Sequence, residues 1–473
     1  MKQLDCDICV IGAGSGGLSV AAAASQFGEN VVLIERGEMG GDCLNYGCVP
    51  SKALLAAGKH AHAFTSGEAF GIAAQKPKVN FGKVHDHVHS VIGAIAPHDS
   101  QERFEGLGVT VIRETGRFID GETVEAGGTR IKARRFVIAT GSSPAAPPIP
   151  GLDTVDYLTN ETLFDNKTLP DHLLIIGGGP IGMEMAQAHR RLGARVTVLE
   201  AFQPLGKDDP ELTSIVLDHL RNEGIDIRAG VKIINISQSA KGITIALEDD
   251  GKATSLTGSH LLVAAGRKPN VDKLNLEAAG IDYDKRGIKV DSSLRTSNRK
   301  VYAIGDVAGG LQFTHVAGYQ AGLVVRAILF RLPVKNETRF IPWVTYTDPE
   351  LAHIGLTEAQ AKEQGLDHKV LRWHFKDNDR AQAERCTSGM IKAVVSAKGD
   401  ILGCSIVAPK AGELIQPWAL AMSSKLKIKA MIDMVAAYPT MTEVSKRAAT
   451  SYYAALPSKP LIRKVIGFLK RFG

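Results

Sequence analysis

Ile8-Cys9-Val10-Ile11-Gly12-Ala13-Gly14-Ser15-Gly16-Gly17-Leu18 stands close to the start of the chain. Asp7 to Ile11 reads as a buried strand, Leu18 to Phe27 as a helix of small residues, and Asn30 to Glu35 as a second strand, so the glycines occupy the turn of a βαβ unit. In that turn Gly12 allows the tight bend, Gly14 leaves room for a pyrophosphate at the helix N-terminus, and Gly17 lets helix and strand pack closely. Glu35, at the end of the second strand, is placed to accept hydrogen bonds from ribose hydroxyls.

The same unit recurs: a strand from Leu173 to Ile176, the turn Gly177-Gly178-Gly179-Pro180-Ile181-Gly182, a helix through Arg191, and a strand from Arg195 to Glu200. One chain therefore binds two dinucleotides, with Gly177, Gly179 and Gly182 repeating the roles of the first triplet. Glu200 favours NAD(H) over NADP(H), because a carboxylate repels a 2′-phosphate and the nearest following cation is Lys207. Two further apolar runs, Phe136 to Gly141 and Leu261 to Arg267, read as buried parallel strands ending at glycine turns. Pro144, Pro147, Pro148 and Pro150 mark a linker, which places a domain boundary near residue 146.

Between the two units lies Gly40-Gly41-Asp42-Cys43-Leu44-Asn45-Tyr46-Gly47-Cys48-Val49-Pro50-Ser51-Lys52. Cysteines five positions apart in a strand would be roughly 16 Å apart, whereas a disulfide needs Cα atoms about 4.4–6.8 Å apart, so a distorted helical turn is expected. Gly47 permits the distortion, Pro50 suits a first helical turn, and Cys48 near a helix N-terminus is then a reactive thiol. Against this stands a pair of buried structural cysteines, which the glycine-flanked helix start disfavours.

Composition bounds the rest. The 473 residues are 44% hydrophobic and 22% charged, as in ordinary globular domains, and no apolar run is long enough to span a bilayer. Six cysteines in so long a chain make no disulfide framework. With an apolar strand entered directly, without a basic start or cleavage site, the expectation is a cytoplasmic enzyme. The net charge of +6 is concentrated in the last fifteen residues, where Lys459, Arg463, Lys464, Lys470 and Arg471 stand with no acid, so no nucleic-acid partner is expected along the body.

Taken together, these motifs resemble the class I pyridine nucleotide-disulfide oxidoreductases, the family of dihydrolipoamide dehydrogenase and mercuric reductase, over essentially the whole chain. Ala303-Ile304-Gly305-Asp306 is similar to the family's second FAD motif, and Pro342 through Glu358 to the start of its dimerisation domain. The resemblance implies an α/β fold of two Rossmann-like domains plus a C-terminal α+β dimerisation domain. It divides the chain into FAD segments 1–145 and 268–338, an NAD(P) segment 146–267, and a dimerisation segment 339–473 with a basic amphipathic tail at 459–473.

It further implies that electrons pass from NADH through FAD to a Cys43–Cys48 disulfide, Cys48 being the charge-transfer thiol and Cys43 the interchange thiol, and on to a small disulfide, a dithiol or a thiophilic metal ion. Lys52 and Glu184 fall where the family places an ion pair beside the flavin, and Asp306 where it holds the ribityl chain. Gly41, Thr140, Gly141, Gly266, Arg267, Gly305 and Ala317 are expected among the cofactor contacts. The family's homodimer shares its active site, so Tyr438 and Glu443 would reach the disulfide of the other subunit.

One position departs from the pattern. Disulfide reductases carry His-Pro-Thr-x-x-Glu where this chain reads Tyr438-Pro439-Thr440-Met441-Thr442-Glu443. Imidazole titrates near pH 6.5 and a phenol near 10, so Tyr438 is a poor base and efficient dithiol exchange is not expected. Tyrosine here resembles the mercuric reductase branch, but the C-terminal cysteine pair and the metal-binding N-terminal extension of that branch are expected to be missing, no cysteine following Cys404. The physiological substrate stays unassigned. From another class, a nucleotide-binding sensor without turnover is the competing reading, and the retained Cys43, Cys48 and Lys52 argue against it.

Other residues carry plainer readings. Cys6 and Cys9 lie three apart in a strand and are not expected to bridge. Cys386 and Cys404 are expected to pack, and His85, His87 and His89 to line a helix face without a metal, none being expected anywhere in the chain. The tail from Pro460 to Phe472 has an apolar stripe opposite its cations, expected to pack on the dimer in preference to a membrane surface.

Overall fold

The computed structural model describes residues 2–473. The chain forms two compact units. One runs through Glu68 and takes in Ile72–Phe202 and Ile225–Thr338; the other consists of Ala69–Gly71, Gln203–Gly224 and Arg339–Gly473.

The first unit holds a mixed sheet with a parallel centre and a second, parallel sheet. In one, strands Thr110–Ile112, Val31–Ile34, Lys2–Ile11 and Thr129–Ile138 lie side by side, and Val301–Ala303 pairs with Phe136 to Ile138. Ile8 to Ile11 are buried consecutively rather than alternately because helices and further strands cover both faces. Helices Ser15–Gln26 and Thr314–Leu329 cover the face of Ile8 and Val10, while Ile11 packs with Phe118 and Phe136 on the other. Cys6 and Cys9 are separate free thiols that both reach this second cluster, and burial pushes Cys6 up to about 12.

In the other sheet His172–Ile176 lies between Arg195–Glu200 and His260–Val263, with Asp226–Ala229 at the edge. A separate three-stranded antiparallel meander is formed by Lys232–Ser239, Gly242–Asp249 and Lys252–Gly258. The first two sheets thus have the strand–helix–strand order of a Rossmann-like α/β architecture.

The second unit is built on an antiparallel sheet in the order Trp343–Thr345, Glu350–Gly355, Ile401–Ala408, Met390–Ser396 and His368–His374. Trp418 is fully buried against it, its indole N–H donating to Ser445 Oγ at 3.0 Å. Cys404 lies in this core and Cys386 at its edge. Helix Pro210–Asn222, which follows the second nucleotide strand in sequence, belongs to this unit and buries Leu212, Val216 and Leu220. Buried Lys392 ties it down, with Nζ 2.8 Å from Asp209 and 2.9 Å from both Glu211 and Glu358. No helix of the described residues is long and apolar enough to cross a membrane.

Candidate active site

The two glycine turns are stereochemical copies. A Cβ on Gly12 would stand 2.4 Å from the Ala139 carbonyl oxygen, and one on Gly177 the same distance from that of Ala264. Gly17 and Gly182 would drive a Cβ to 1.8 and 2.0 Å from the carbonyls of Gly12 and Gly177, so helix and turn touch backbone to backbone. A Cβ on Gly14 or Gly179 would meet nothing within 4 Å, which leaves open space in front of each helix N-terminus. The acids repeat too. Glu35 accepts from the N–H groups of Ala13 (2.6 Å) and Gly37 (2.7 Å), Glu200 from those of Gly178 (2.6 Å) and Phe202 (2.8 Å). Open space before a helix N-terminus, with a carboxylate at the end of the following strand, is an arrangement that fits a dinucleotide, and this cradle occurs twice.

The cysteine segment packs directly on the first cradle. Gly40 N–H donates to the Ala13 carbonyl at 3.0 Å, and Gly41, at φ +61°, lies so close that a Cβ would meet Gly14 Cα at 2.8 Å. Helix Gly41–Asn45 ends, the chain turns at Tyr46 and Gly47, and a second helix, Cys48–Ala63, begins at Cys48. Gly47 has φ −126° and ψ −110°, and a Cβ there would stand 2.9 Å from Asp42. Any larger residue at this break would have to push Asp42 aside.

Cys43 and Cys48 are thiols here, and their environments divide them. The Cys48 sulfur, at a helix N-terminus, lies 3.3 Å from Thr314 Oγ1, itself the first residue of helix Thr314–Leu329. The hydrogen bond from Cys43, that from Thr314 and the charge of Lys52 hold Cys48 down to about 6, against the opposing effect of burial. Cys43 is pushed far up, by donating to Cys48, by burial and by the negative charge of its neighbour. It opens onto a cavity of about 380 Å³ shared with Ser15, Ser19, Asp99, Arg103 and Thr314.

Lys52 Nζ is 2.8 Å from Glu184, whose side chain is 6% exposed. Their helices can approach because Gly58 sits against Ala188, where a Cβ would already lie 3.2 Å from the carbonyl oxygen. Asp42 is clasped from behind, by Arg267 at 3.0 Å and by the Asn160 amide at 2.9 Å, and Asn160 also donates to the Tyr46 carbonyl. Arg267 donates to Ser142 Oγ and to the Ser142 carbonyl, each at 2.7 Å, and Ser142 Oγ donates to Asp306 at 2.6 Å. Arg267 is thereby turned toward the cysteine segment and Asp306. Burial raises the Asp306 carboxyl.

Thr140 Oγ1 donates to the Asn270 carbonyl at 2.8 Å, and Gly141, Gly266 and Gly305 all carry positive φ. Ala317 packs at 3.2 Å from where Cβ atoms of Gly16 and Gly305 would be.

Tyr438 and Glu443 lie in the second unit. Tyr438 is 70% exposed, its hydroxyl donates to Asp379 at 3.0 Å, and that bond pushes the phenol up from its ordinary value. Glu443 begins helix Glu443–Ser451. Among residues the sequence did not single out, Thr314, Asn160 and Ser142 are held against the cysteine segment or its supports; the one sequence signal for Thr314 is its place at a helix start just after the Gly305-Asp306 motif. His85 and His89 pack ring against ring, tilted by 41° with centroids 4.2 Å apart, and no group of three His, Cys, Asp or Glu able to hold a metal occurs among the described residues.

A protein with two such cradles around one asymmetric thiol pair is a two-nucleotide redox enzyme, and comparison with known proteins gives its family. Residues 6–321 match the pyridine nucleotide-disulphide oxidoreductase family and residues 341–449 its dimerisation domain. The chain belongs to that family. It is 36% identical over 451 residues to mercuric reductase of Staphylococcus aureus, covering 95% of this chain and 82% of the relative. It is 32% identical over 454 residues to dihydrolipoyl dehydrogenase of Geobacillus stearothermophilus, covering 94% and 96%. The Cu(II) complex of the HOCl-induced flavoprotein disulfide reductase RclA from Escherichia coli superposes with a TM-score of 0.85 at 27% identity, covering 94% of this chain and 99% of that one. The chain is accordingly an FAD-dependent NAD(P)H oxidoreductase of the disulfide reductase type, and its dimerisation domain makes it a homodimer.

Proposed function

We propose that this enzyme is cytoplasmic, uses NADH, and delivers its electrons to a soft, thiophilic metal ion held by Cys43 and Cys48. Bound FAD, cradled by Gly12, Gly14, Gly17, Glu35 and Asp306, would supply the two-electron relay between nicotinamide and thiol pair. Glu200 accepts from the Gly178 and Phe202 N–H groups beside the second glycine turn, and at the ribose end of a dinucleotide bound there its charge would disfavour a 2′-phosphate.

The observation that carries the reading is Tyr438. Its hydroxyl is committed to Asp379 and its pKa is raised, so at neutral pH it does not take the proton that dithiol–disulfide exchange must hand over. Metal capture needs no such base. Cys48, a thiolate above about pH 6, takes the ion first; Cys43 then loses its proton to water as the cation's charge replaces the hydrogen bond to Cys48. The reaction balances as one NADH oxidised and one proton released for each mercuric ion taken to metal, or for each two cupric ions taken to cuprous. The cavity at Cys43 admits a small acceptor.

Anaerobic NADH oxidation by the holoenzyme with Hg²⁺, Cu²⁺, lipoamide and a generic disulfide tests this. The metal ions should outpace both disulfides by about tenfold or more, and Cys48→Ser should abolish the difference. Faster turnover of lipoamide overturns the substrate reading. Failure of NADH to bleach the bound FAD overturns the redox reading altogether.

A further inference from the structure

Helix Pro460–Leu469 and the turn Lys470–Phe472 close the described chain. At about 100° per residue, Leu461, Val465, Ile466, Phe468, Leu469 and Phe472 share one arc and Arg463, Lys464, Lys470 and Arg471 the opposite one. A helix with this pattern ordinarily buries its apolar arc. Here no residue of the helix is buried, and Leu461, Phe468 and Phe472 are 71%, 56% and 75% exposed. The rings of Phe468 and Phe472 touch, centroids 5.2 Å apart, so the apolar face continues into the final turn. An exposed contiguous apolar face rimmed by charge marks an interaction surface.

Charge identifies the occupant. Five cations and no acid stand between residues 459 and 473, and none of the five forms an ion pair among the described residues. A second copy of this helix across a two-fold axis would set like charges together, and the match to the dimerisation domain stops at residue 449. A surface that is apolar beneath and anionic above complements both faces at once. We propose that the tail docks on an anionic phospholipid bilayer, its apolar arc at the acyl boundary and its cations among the headgroup phosphates. Ten helical residues span about 15 Å, half the hydrocarbon thickness, so the helix lies in the interface and does not cross. Two tails on one dimer strengthen the attachment through effective concentration.

Co-sedimentation of the FAD-loaded full chain with vesicles of phosphatidylcholine, or of phosphatidylcholine with phosphatidylglycerol, decides the matter. The anionic vesicles should retain about tenfold or more protein, and added salt should release it. A chain ending at Leu456 and the full chain carrying Phe468→Gln with Phe472→Gln should both stay dimeric, oxidise NADH at the unaltered rate and remain in the supernatant. Equal recovery with the two vesicle types, or sedimentation of the tailless chain, overturns the proposal. A tailless chain that becomes monomeric overturns it in favour of a dimer contact.

Discussion

The Thr314 hydroxyl oxygen lies 3.3 Å from the Cys48 sulfur, across 266 residues of sequence. Each residue opens a helix, so two helix N-termini converge on one sulfur, and the positive ends of both dipoles favour its anion. The sulfur is thereby prepared as a thiolate before any substrate arrives.

The first prediction concerns that hydroxyl. In the reduced protein, alkylation of Cys48 by iodoacetamide, followed by mass spectrometry, should rise with a midpoint near pH 6, because a thiol held down to about 6 is deprotonated above that pH. Cys43 should stay unreactive through neutral pH. Thr314→Val removes a donor to the thiolate and should move the Cys48 midpoint upward, while Thr314→Ser should restore it. An unmoved midpoint in the valine variant would assign the lowering to Cys43 and Lys52 alone.

Lys52 acts on the same sulfur through its charge and on Glu184 through contact at 2.8 Å. Lys52→Met should therefore raise the Cys48 midpoint and also cost about 1–3 kcal/mol of stability, since it removes the cation facing a buried carboxylate. Adding Glu184→Leu should recover much of the stability without returning the midpoint. Urea denaturation alongside the alkylation profile separates the two effects.

Gly179 and Gly182 differ by three positions and should fail in different ways. Gly179 has φ −75° and ψ −179°, which valine also adopts, and a Cβ there meets nothing within 4 Å. Gly179→Val should keep the melting temperature and FAD content but raise the KM for NADH by about tenfold or more, by filling the pyrophosphate space. Gly182→Ala forces a Cβ to 2.0 Å from a carbonyl oxygen and should instead lower the melting temperature.

Tyr438 gives the most direct test of substrate class. Tyr438→Phe should leave turnover with metal ions and with lipoamide unchanged, because the phenol transfers no proton. Tyr438→His places a group titrating near pH 6.5 at that position and should raise lipoamide turnover by about tenfold or more, with little change toward metal ions. A collapse of metal-ion turnover in the phenylalanine variant would contradict an idle phenol.

Much of this site was legible in the chain. Glycine spacing is readable because each glycine answers a local steric demand: at Gly12 and Gly17 a Cβ would strike backbone, and at Gly47 it would crowd Asp42. The end of helix Pro210–Asn222 that packs with Lys392 was less so. It is the next helix after the strand ending at Glu200, inside the stretch the sequence divides off at 146–267, yet its apolar face is buried in the C-terminal unit. Periodicity says that a helix has a face to bury but does not say against what. The clasp of Asn160 and Arg267 on Asp42 was hidden for the same reason, since polar residues in loops show no period.

The tail's sequence showed an amphipathic stripe and its charge, with packing on the dimer as the expectation. In the folded chain that stripe is exposed beside its cations, a pattern that complements an anionic bilayer surface.

By itself the sequence determined the two nucleotide cradles, the thiol pair and the tyrosine at the expected position of a base, because these depend on residue type and short spacing. It also pointed to Cys48, at a helix start, as the reactive thiol; only the tertiary structure decided which distant groups act on that sulfur and whether Tyr438 is engaged. A pKa is set by every charge and dipole within a few ångströms; for Cys48 these are Cys43 first, then Thr314 and Lys52, and for Tyr438 Asp379, and folding brings the distant ones, Thr314 and Asp379, into reach.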